Sequence, residues 1–383
     1  MIQLQFQLSN YCVKKENQHI HLLRKEFYLL QFLYDHANQP FTREQLLDAV
    51  WPMEMPSDRT VDDHIYRLRK KIKPWENDLK IETIKGFGYQ LNCKKAEKTF
   101  ALSNDEDFQM LSQRLLSIYH LYGHGEAIEK IIQQSELGIA IPSHFHKIIA
   151  FMKGDIWSLI DDHSNIDDNL YFLINIFQTL SHDYQRTLHY NKTAIQKKMF
   201  SGSTMLEAKT LGLLTAYIMS KDFTAAKLHI EKIPGIEPKI MDPEHGYFPF
   251  LMTMQLTIAI CEDNKQDIKR LISILKRFFE DRPYKREMGI FNILEGSYLI
   301  KSGHIEKGRL KVENGFDIIK QSHFTSHLYY ATDISLFLLN NFVDDPMLYK
   351  QILTMRSMLI PEQQAEEAVA VLKKILDKKI GER

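Results

Sequence analysis

The stretch Asp58–Lys73, DRTVDDHIYRLRKKIK, alternates apolar and charged positions in the manner of an amphipathic helix. Four apolar residues recur at spacings of four, three and four positions, so they share one face that must be buried. They are Val61, Ile65, Leu68 and Ile72. The remaining faces carry Arg59, His64, Arg67, Arg69, Lys70, Lys71 and Lys73. Such a helix fits a major groove, where cations reach phosphates and guanine edges; the alternative is a solvated charged face.

Positive charge is concentrated in this helix rather than spread over the chain. The whole sequence has 49 basic and 49 acidic residues, so its net charge predicts no affinity for nucleic acid. Residues 58–73 have six cations against three acids, and the acids fall in the first turn, where carboxylates suit the positive helix end. Ser57 or Asp58 can cap that end. The predicted electrostatic footprint is therefore local.

A hairpin follows the helix. Residues 80–91, KIETIKGFGYQL, have strand-like residues on both sides of Gly86-Phe87-Gly88, with Lys85 near the tip. This pattern predicts a wing beside the basic helix.

The preceding residues predict two more helices and a small sheet. Thr42-x-x-Gln45 is a capping box that opens a short helix, and residues 26–37 repeat apolar positions at helical spacing. Alternation in residues 4–8, followed by short strand-like segments up to Leu22, predicts a leading sheet. Strands, three helices and a hairpin make an α+β winged helix.

These residues, in this order, resemble the OmpR/PhoB-type DNA-binding domain over residues 1 to 95, about a quarter of the chain. The matching motifs are Lys25-Glu26-Phe27, Leu29-Leu30, Arg43-Glu44-Gln45-Leu46-Leu47, Val50-Trp51, Arg59-Thr60-Val61-Asp62, His64-Ile65, Arg67-Leu68-Arg69-Lys70-Lys71, Thr83-Ile84-Lys85-Gly86 and Gly88-Tyr89. Leu23 stands where a capping Ser or Thr is usual, which costs about 1 kcal/mol of helix stability. Lys85 replaces the usual wing arginine, which predicts a weaker preference for narrow A·T-rich minor grooves.

The resemblance implies that the partner is double-stranded DNA. It implies that Arg67 reads bases, while Trp51, Arg59, Thr60, His64, Arg69 and Thr83 position the DNA backbone. Tyr66, Lys70 and Lys85 complete the expected set of DNA contacts. One small winged helix touches few bases, so we expect a homodimer on two half-sites, with RNA polymerase as a candidate partner.

A polar, unperiodic stretch at residues 94–107, KKAEKTFALSNDED, marks the end of this domain. Beyond it, apolar and aromatic residues recur at three- and four-residue spacing, which predicts an all-helical region of about 280 residues. We therefore assign residues 1–95 to the winged helix, 96–106 to a linker and 107–383 to an all-α sensor or oligomerisation domain.

The helical region repeats with an offset of 82 residues, of which one helix pair would occupy half. Positions Leu211, Tyr217, Ser220, Phe223, Ala226 and Ile230 correspond to Ile293, Leu299, Ser302, Ile305, Gly308 and Val312. Small residues at Ala226 and Gly308 permit close approach of paired helices, as in tetratricopeptide-like solenoids with about 40 residues per pair. The alternative is an irregular helical domain.

A winged helix followed by helical repeats resembles the architecture of SARP-type bacterial activators. The family's common phosphoacceptor receiver domain has no room before Met1, and residues after 100 lack its alternating strand and helix pattern. We therefore expect no control by aspartyl phosphorylation.

A solenoid presents a concave groove that binds a peptide, a protein segment or a second copy of the chain. The candidate groove residues are Asn175, Tyr217, Asn292 and Tyr298, with Tyr329 on the same expected surface. An amide among apolar residues can pair with both groups of a peptide backbone. The alternative is a polar group satisfied within the core and ordinary aromatic packing.

No enzyme, cofactor or metal site is predicted. The sequence lacks GxxxxGK[ST], GxSxG, HExxH and a dinucleotide fingerprint. We interpret His144-x-His146 and His120-x3-His124 as chance spacings among 16 histidines, and residues 161–168 as a solvated acidic loop. Three widely spaced cysteines indicate reduced thiols.

No apolar run approaches the roughly 18 residues of a membrane span, so we expect a soluble, cytoplasmic protein without membrane contact. The combined interpretation is a sequence-specific transcription regulator governed by its helical domain. The alternative is a scaffold that the winged helix tethers to DNA without any switch.

Overall fold

The structure is a computed structural model that describes residues 4–7, 10–15, 18–51, 58–93, 105–134, 137–139, 141, 143–160, 166–200 and 202–381. The chain divides into two compact units, Met1–Phe100 and Ala101–Arg383. The first is a small α+β unit and the second is helical, as the sequence predicts. No helix within these described ranges has the length and apolar character needed to cross a membrane.

The first unit has two three-stranded antiparallel sheets and three helices. Its elements are β1 Leu4–Gln7, β2 Cys12–Lys15, β3 Gln18–His21, α1 Arg24–Asp35, β4 Pro40–Thr42, α2 Arg43–Val50, α3 Asp58–Ile72, β5 Leu79–Ile84 and β6 Gly88–Cys93. The strand orders are β1-β2-β3 and β4-β6-β5. This arrangement confirms the predicted leading sheet, three helices and wing.

Helix α3 packs with its predicted stripe inward. Val61, Ile65, Leu68 and Ile72 are each no more than 2% exposed. They join one core with Phe27, Leu46 and Trp75. Because this core buries the apolar stripe, the cationic faces of α3 lie at the surface.

The wing contains a strand that the sequence did not reveal. β5 pairs with β6 as predicted, and Gly86, with φ +78°, makes the turn between them. β4 pairs with the other edge of β6, which places Phe41 opposite Tyr89. Its three residues are too few to show an alternating pattern, so β4 had no signal of its own.

The first turn of α1 lacks the usual hydroxyl cap, because Leu23 has no side-chain acceptor. Glu26 supplies half of a capping box instead: its Oε2 accepts from the Leu23 backbone N–H at 2.8 Å. The same oxygen accepts from Lys71 Nζ at 2.6 Å, and Glu26 is fully buried. One carboxylate therefore caps α1 and fastens it to α3.

The second unit continues the numbering with helices and one π-helical turn. The helices are α4 Glu106–Tyr122, α5 Gly125–Gln133, α6 Ser143–Lys153, α7 Ile156–Ile160, α8 Ile166–Ser181, α9 Tyr184–Gln196, α10 Gly202–Glu207, α11 Leu213–Met219, α12 Phe223–Ile236, α13 Phe248–Cys261, α14 Lys265–Asp281, α15 Lys285–Lys301, α16 Ile305–Lys320, α17 Thr325–Asn341, α18 Pro346–Leu359 and α19 Glu362–Gly381. The π-helical turn Ala208–Gly212 joins α10 to α11.

Consecutive helices alternate in character. α13 and α15 are buried over most of their residues, whereas α14 and α16 bury a single face. The helices that are buried over most of their residues therefore form an inner layer, and the helices that bury a single face form an outer layer.

The turns within the aligned segments share one conformation. Lys221, Asp263 and Gly303 all have positive φ and come just before the residue that begins the second helix. Asp222 and Asn264 then cap α12 and α14 through their side-chain oxygens. The helix pair α13–α14, midway between the two aligned segments, thus makes the same kind of turn.

Helices α15 and α16 meet backbone to backbone. A methyl group placed on Gly296 would lie 2.7 Å from the Gly308 carbonyl oxygen, and one on Gly315 would lie 2.5 Å from the Gly289 carbonyl oxygen. This glycine seam, defined by Gly289, Gly296, Gly308 and Gly315, extends the close approach predicted from Gly308 alone. Both helices can pack this tightly because neither presents a Cβ at the crossing points.

Filling the seam is expected to destabilise the helical unit. Gly296→Ala or Gly308→Ala should lower the free energy of unfolding by about 1–3 kcal/mol, because the new methyl group overlaps backbone. Gly235→Ala is the matched control, since this helical glycine has open space around it and should gain up to about 1 kcal/mol from helix propensity. Urea unfolding followed by circular dichroism measures all three, and equal midpoints for the seam variants and wild type would refute the packing argument.

Candidate nucleic-acid interface

The solvent-facing side of α3 presents exposed cations. Arg59, Arg67 and Lys70 are exposed. Arg67 makes no hydrogen bond or ion pair with any residue that the structure describes. A guanidinium held on a rigid helix without an internal partner can pair bidentately with a guanine edge.

Arg69 instead braces α3 against the wing. Its Nε donates to the Ile81 carbonyl oxygen at 2.9 Å and its Nη2 to Thr83 Oγ1 at 2.8 Å. The guanidinium also lies 5.6 Å from the centre of the Tyr89 ring. Arg69 and Thr83, predicted as separate backbone contacts, thus form one cationic corner between helix and wing.

A second set of contacts at this corner was not foreseen. Asp62 Oδ1 accepts from Arg43 Nε and from Tyr89 Oη, both at 2.7 Å. Arg43 lies over the Tyr89 ring at 5.1 Å. The sequence placed Asp62 only in the acidic first turn, because its partners on α2 and β6 are distant along the chain.

The hydrogen bonds of Asp62 set its titration. Burial by itself would raise the pKa of this carboxyl, but the bonds from Tyr89 and Arg43 outweigh it and hold the pKa below its usual 3.8. Burial and the bond to Asp62 raise the pKa of Tyr89. The carboxylate is therefore ionised at neutral pH and fixes the orientation of the start of α3.

Trp51 packs against α3 through the ring of His64. Trp51 is only 3% exposed, and its ring meets the His64 ring edge-on at 5.0 Å. His64 Nδ1 is 2.8 Å from the Thr60 carbonyl oxygen. Lys25 Nζ bonds to the Val50 carbonyl oxygen at 2.8 Å beside Trp51. Their predicted contacts with DNA remain predictions.

A cleft of about 600 Å³ runs between the end of α3 and β5. Tyr66 and Lys70 form one wall, where Lys70 Nζ lies 4.4 Å from the centre of the exposed Tyr66 ring. Lys85 is exposed at the wing tip. These three predicted contacts therefore flank the recognition face.

The predicted groove residues of the helical unit lie on three helices: Asn175 on α8, Tyr217 on α11, and Asn292 with Tyr298 on α15. Asn175 Nδ2 donates to the Tyr171 carbonyl oxygen at 2.8 Å. Asn292 Nδ2 lies 3.4 Å from Asn314 Oδ1, and Lys192 Nζ lies over the Tyr217 ring at 5.0 Å. Tyr298 is half-buried against the main helical core. Each has a partner in its own neighbourhood, so the shared peptide surface stays a prediction.

Within the described residues, no group of three or more His, Cys, Asp or Glu side chains converges on one point. His120 contacts Arg286 rather than His124. The side chain of His144 and the acidic segment at 161–168 lie outside the described side chains.

Comparison with known proteins places the first unit in a family. Residues 17–91 match the family described as "Transcriptional regulatory protein, C terminal". The phosphate regulon transcriptional regulatory protein PhoB of Escherichia coli K12 is 43% identical over 70 residues, which are 18% of this chain and 31% of that protein. The heme response regulator HssR of Staphylococcus aureus is 43% identical over 76 residues, 20% of this chain and 34% of that protein. The chain spans about a third of the length of these curated relatives.

A solved structure, the DNA-binding domain of Bacillus subtilis CssR, is 38% identical and is covered to 99%, against 23% of this chain, with a TM-score of 0.21. The family match of residues 17–91 and the order of strands, three helices and hairpin define the N-terminal unit as a winged-helix domain of the transcriptional-regulator class. More particularly, it is of the OmpR/PhoB type.

The Asp62 contacts predict acid sensitivity of the winged helix. Because the folded-state pKa of Asp62 lies below 3.8, its stabilisation is present above that value and is lost as pH falls through the folded pKa. Tyr89→Phe should cost about 1–2 kcal/mol at pH 7, because it removes a hydrogen bond to a charged group.

Tryptophan fluorescence can isolate this unit. In a Trp157→Phe background, Trp51 and Trp75 are the tryptophans that remain. Asp62→Asn should flatten the loss of stability below pH 4, whereas Tyr28→Phe is the matched control and should leave the profile unchanged. A wild-type profile for both Tyr89→Phe and Asp62→Asn would contradict the assigned role.

Proposed function

We propose that the chain is a sequence-specific DNA-binding regulator of transcription. One observation carries this proposal: α3 buries its apolar stripe completely while Arg59, Arg67 and Lys70 stay exposed on an OmpR/PhoB-type winged helix. A buried stripe fixes the direction of the exposed cations, which is the property that base reading in a groove requires.

The helical unit supplies control in this proposal. It senses a peptide or protein signal or mediates dimerisation, because stacked helix pairs present extended surfaces for partners. A signal must bind the active and inactive states with different affinity, and it shifts their balance only by that difference. The second candidate is a scaffold that recruits proteins, RNA polymerase among them, without switching.

The cationic residues of α3 divide into two roles. Arg67→Ala should cost about 1–3 kcal/mol and blur specificity at one or two base positions, because Arg67 is free to read base edges. Arg69→Ala should weaken binding to all sequences alike and lower the salt slope by about 1. It should also lower the melting temperature, because Arg69 braces the wing.

Fluorescence anisotropy over a salt series, on a site selected from random DNA, measures both effects. Lys269→Ala makes the same change of charge on exposed α14 and serves as the control. Unchanged isotherms for both Arg67→Ala and Arg69→Ala would show that this face does not contact DNA.

In this proposal the protein binds DNA as a dimer. Because one winged helix reads few bases, we expect two chains on half-sites about one helical turn apart. Light scattering with whole and half sites tests this expectation, and one chain bound at full affinity to a half-site would contradict it.

Separating the two units tests control by the helical region. Each unit has its own hydrophobic core, so cleavage near Ala101 should release two folded pieces. Residues 1–100 should keep sequence preference, and lose affinity if the helical unit dimerises the protein or gain affinity if that unit masks α3. A scaffold without a switch predicts instead that candidate peptides change the DNA affinity of neither the full chain nor residues 1–100.

A further inference from the structure

Polar side chains from six segments of the helical unit form a series of electrostatic interactions that includes Arg286, in the first turn of α15. They are His120 on α4, Tyr171 on α8, Glu207 on α10, Tyr247 before α13, Arg286 itself and His327 on α17. Arg286 Nη1 lies 3.2 Å from His120 Nε2, and its guanidinium lies 5.3 Å from the centre of the Phe324 ring. We refer to these six residues as the Arg286 cluster.

Arg286 is buried without adequate compensation. It is 5% exposed. Its hydrogen-bonding neighbour His120 is neutral, because burial and then the charge of Arg286 lower the pKa of that imidazole to about 3. The nearest carboxylate oxygen, Glu287 Oε1, is 3.6 Å away, and Arg286 Nε has no hydrogen-bond partner in the described part of the chain. A buried guanidinium with an unused donor is costly unless an anion completes it.

Arg356 shows how the same unit satisfies a structural arginine. Its Nη1 lies 2.8 Å from Asp333 Oδ1 and also donates to Thr332 Oγ1 and to the Tyr329 carbonyl oxygen, both at 3.2 Å. Its Nη2 bonds to the Thr179 carbonyl oxygen at 2.5 Å. Arg356 is thus buried with several hydrogen-bond partners. The unpartnered Nε of Arg286 is therefore specific to its own site and does not follow from burying an arginine in this unit.

Glu207 supplies a carboxyl group to the Arg286 cluster. Burial raises the pKa of its carboxyl to about 7, although the Tyr171 hydroxyl and the charge of Arg286 oppose the rise. The π-helical turn Ala208–Gly212 begins directly after it. Such turns are concentrated at functional sites, because they re-aim the side chains beside them.

The Arg286 cluster is only partly enclosed by protein, and we refer to this partly enclosed site as the recess. His120, Glu207 and His327 keep part of their surface accessible to solvent. Burial is nevertheless the largest cause of the pKa shift at each of them.

We propose that this recess binds a free amino acid or the carboxyl-terminal residue of a short peptide. The ligand's carboxylate pairs with the planar fork of Arg286, and its ammonium or amide N–H donates to Glu207. The Tyr171 hydroxyl bonds to Glu207, whose charge also acts on Tyr247, and the Phe324 ring lies against Arg286. The identification of this ligand as the regulatory signal rests on the proposed function, whereas its binding to the recess does not.

The ligand class is tested on the full chain without DNA. Thermal unfolding is followed with each of the natural L-amino acids, with pooled tripeptides carrying a free carboxyl terminus, with the same pool amidated, and with inorganic phosphate, each at about 1 mM. Because a ligand that binds the native state raises the melting temperature, amino acids or free-acid tripeptides should raise it. Comparing the amino acids with the free-acid tripeptides distinguishes a free amino acid from a peptide carboxyl terminus as the ligand. Amidated tripeptides and phosphate should have no effect.

Variants of Arg286 connect binding to the recess. Arg286→Gln should weaken binding of the active probe at least about tenfold in calorimetry, whereas Arg309→Gln is the matched control because Arg309 pairs with Asp345 elsewhere in the same unit. Arg286→Lys keeps the charge without the fork and serves if the Gln variant does not fold; it should bind more weakly than wild type.

Three results would overturn the assignment: no shift with any carboxylate probe, a shift with phosphate or amidated peptides alone, or wild-type affinity in the Arg286 variants. DNA binding is measured in parallel. A chain that binds its operator but none of the probes refutes this inference and leaves the proposed function standing. A chain that binds a carboxylate probe but no DNA refutes the proposed function and leaves this inference standing.

Discussion

Burial of one face of α3 is the constraint on which the first unit depends. The stripe from Val61 to Ile72 supplies the centre of the core, so the remaining faces have a fixed direction relative to the sheet. Glu26 strengthens this arrangement by capping α1 and binding Lys71 with one oxygen. The recognition surface is thus a consequence of packing: the residues that face outward are those that the core cannot accept.

A charged corner then joins this helix to the wing. Asp62 receives hydrogen bonds from α2 and β6, while Arg69 donates to β5. Tyr89 lies between the two arginines. Rigid placement of a helix and a hairpin relative to each other is what lets both contact one duplex in a defined register. In this unit, apolar burial therefore fixes the orientation of α3, and polar contacts fix its position relative to the wing.

Local signals predicted much of this structure. Periodicity gave α3, the Thr42 and Gln45 box gave the start of α2, and glycine gave the wing turn. Contacts between residues far apart in sequence were not predictable, because no local pattern records them. The pairing of β4, the bonds of Asp62 and the under-compensated burial of Arg286 are of this kind. In the seam, Gly308 was recognised from the repeat, whereas Gly289 and Gly315 lacked an aligned partner.

The glycine seam has a mechanical consequence. Two helices in backbone contact at two crossing points cannot slide past each other without collision, so α15 and α16 behave as one stiff body. Arg286 stands at one end of that body. A displacement that begins at Arg286 is therefore carried along the full length of both helices instead of being absorbed locally. Deformation of the helical unit is confined to the less tightly packed interfaces beside this pair.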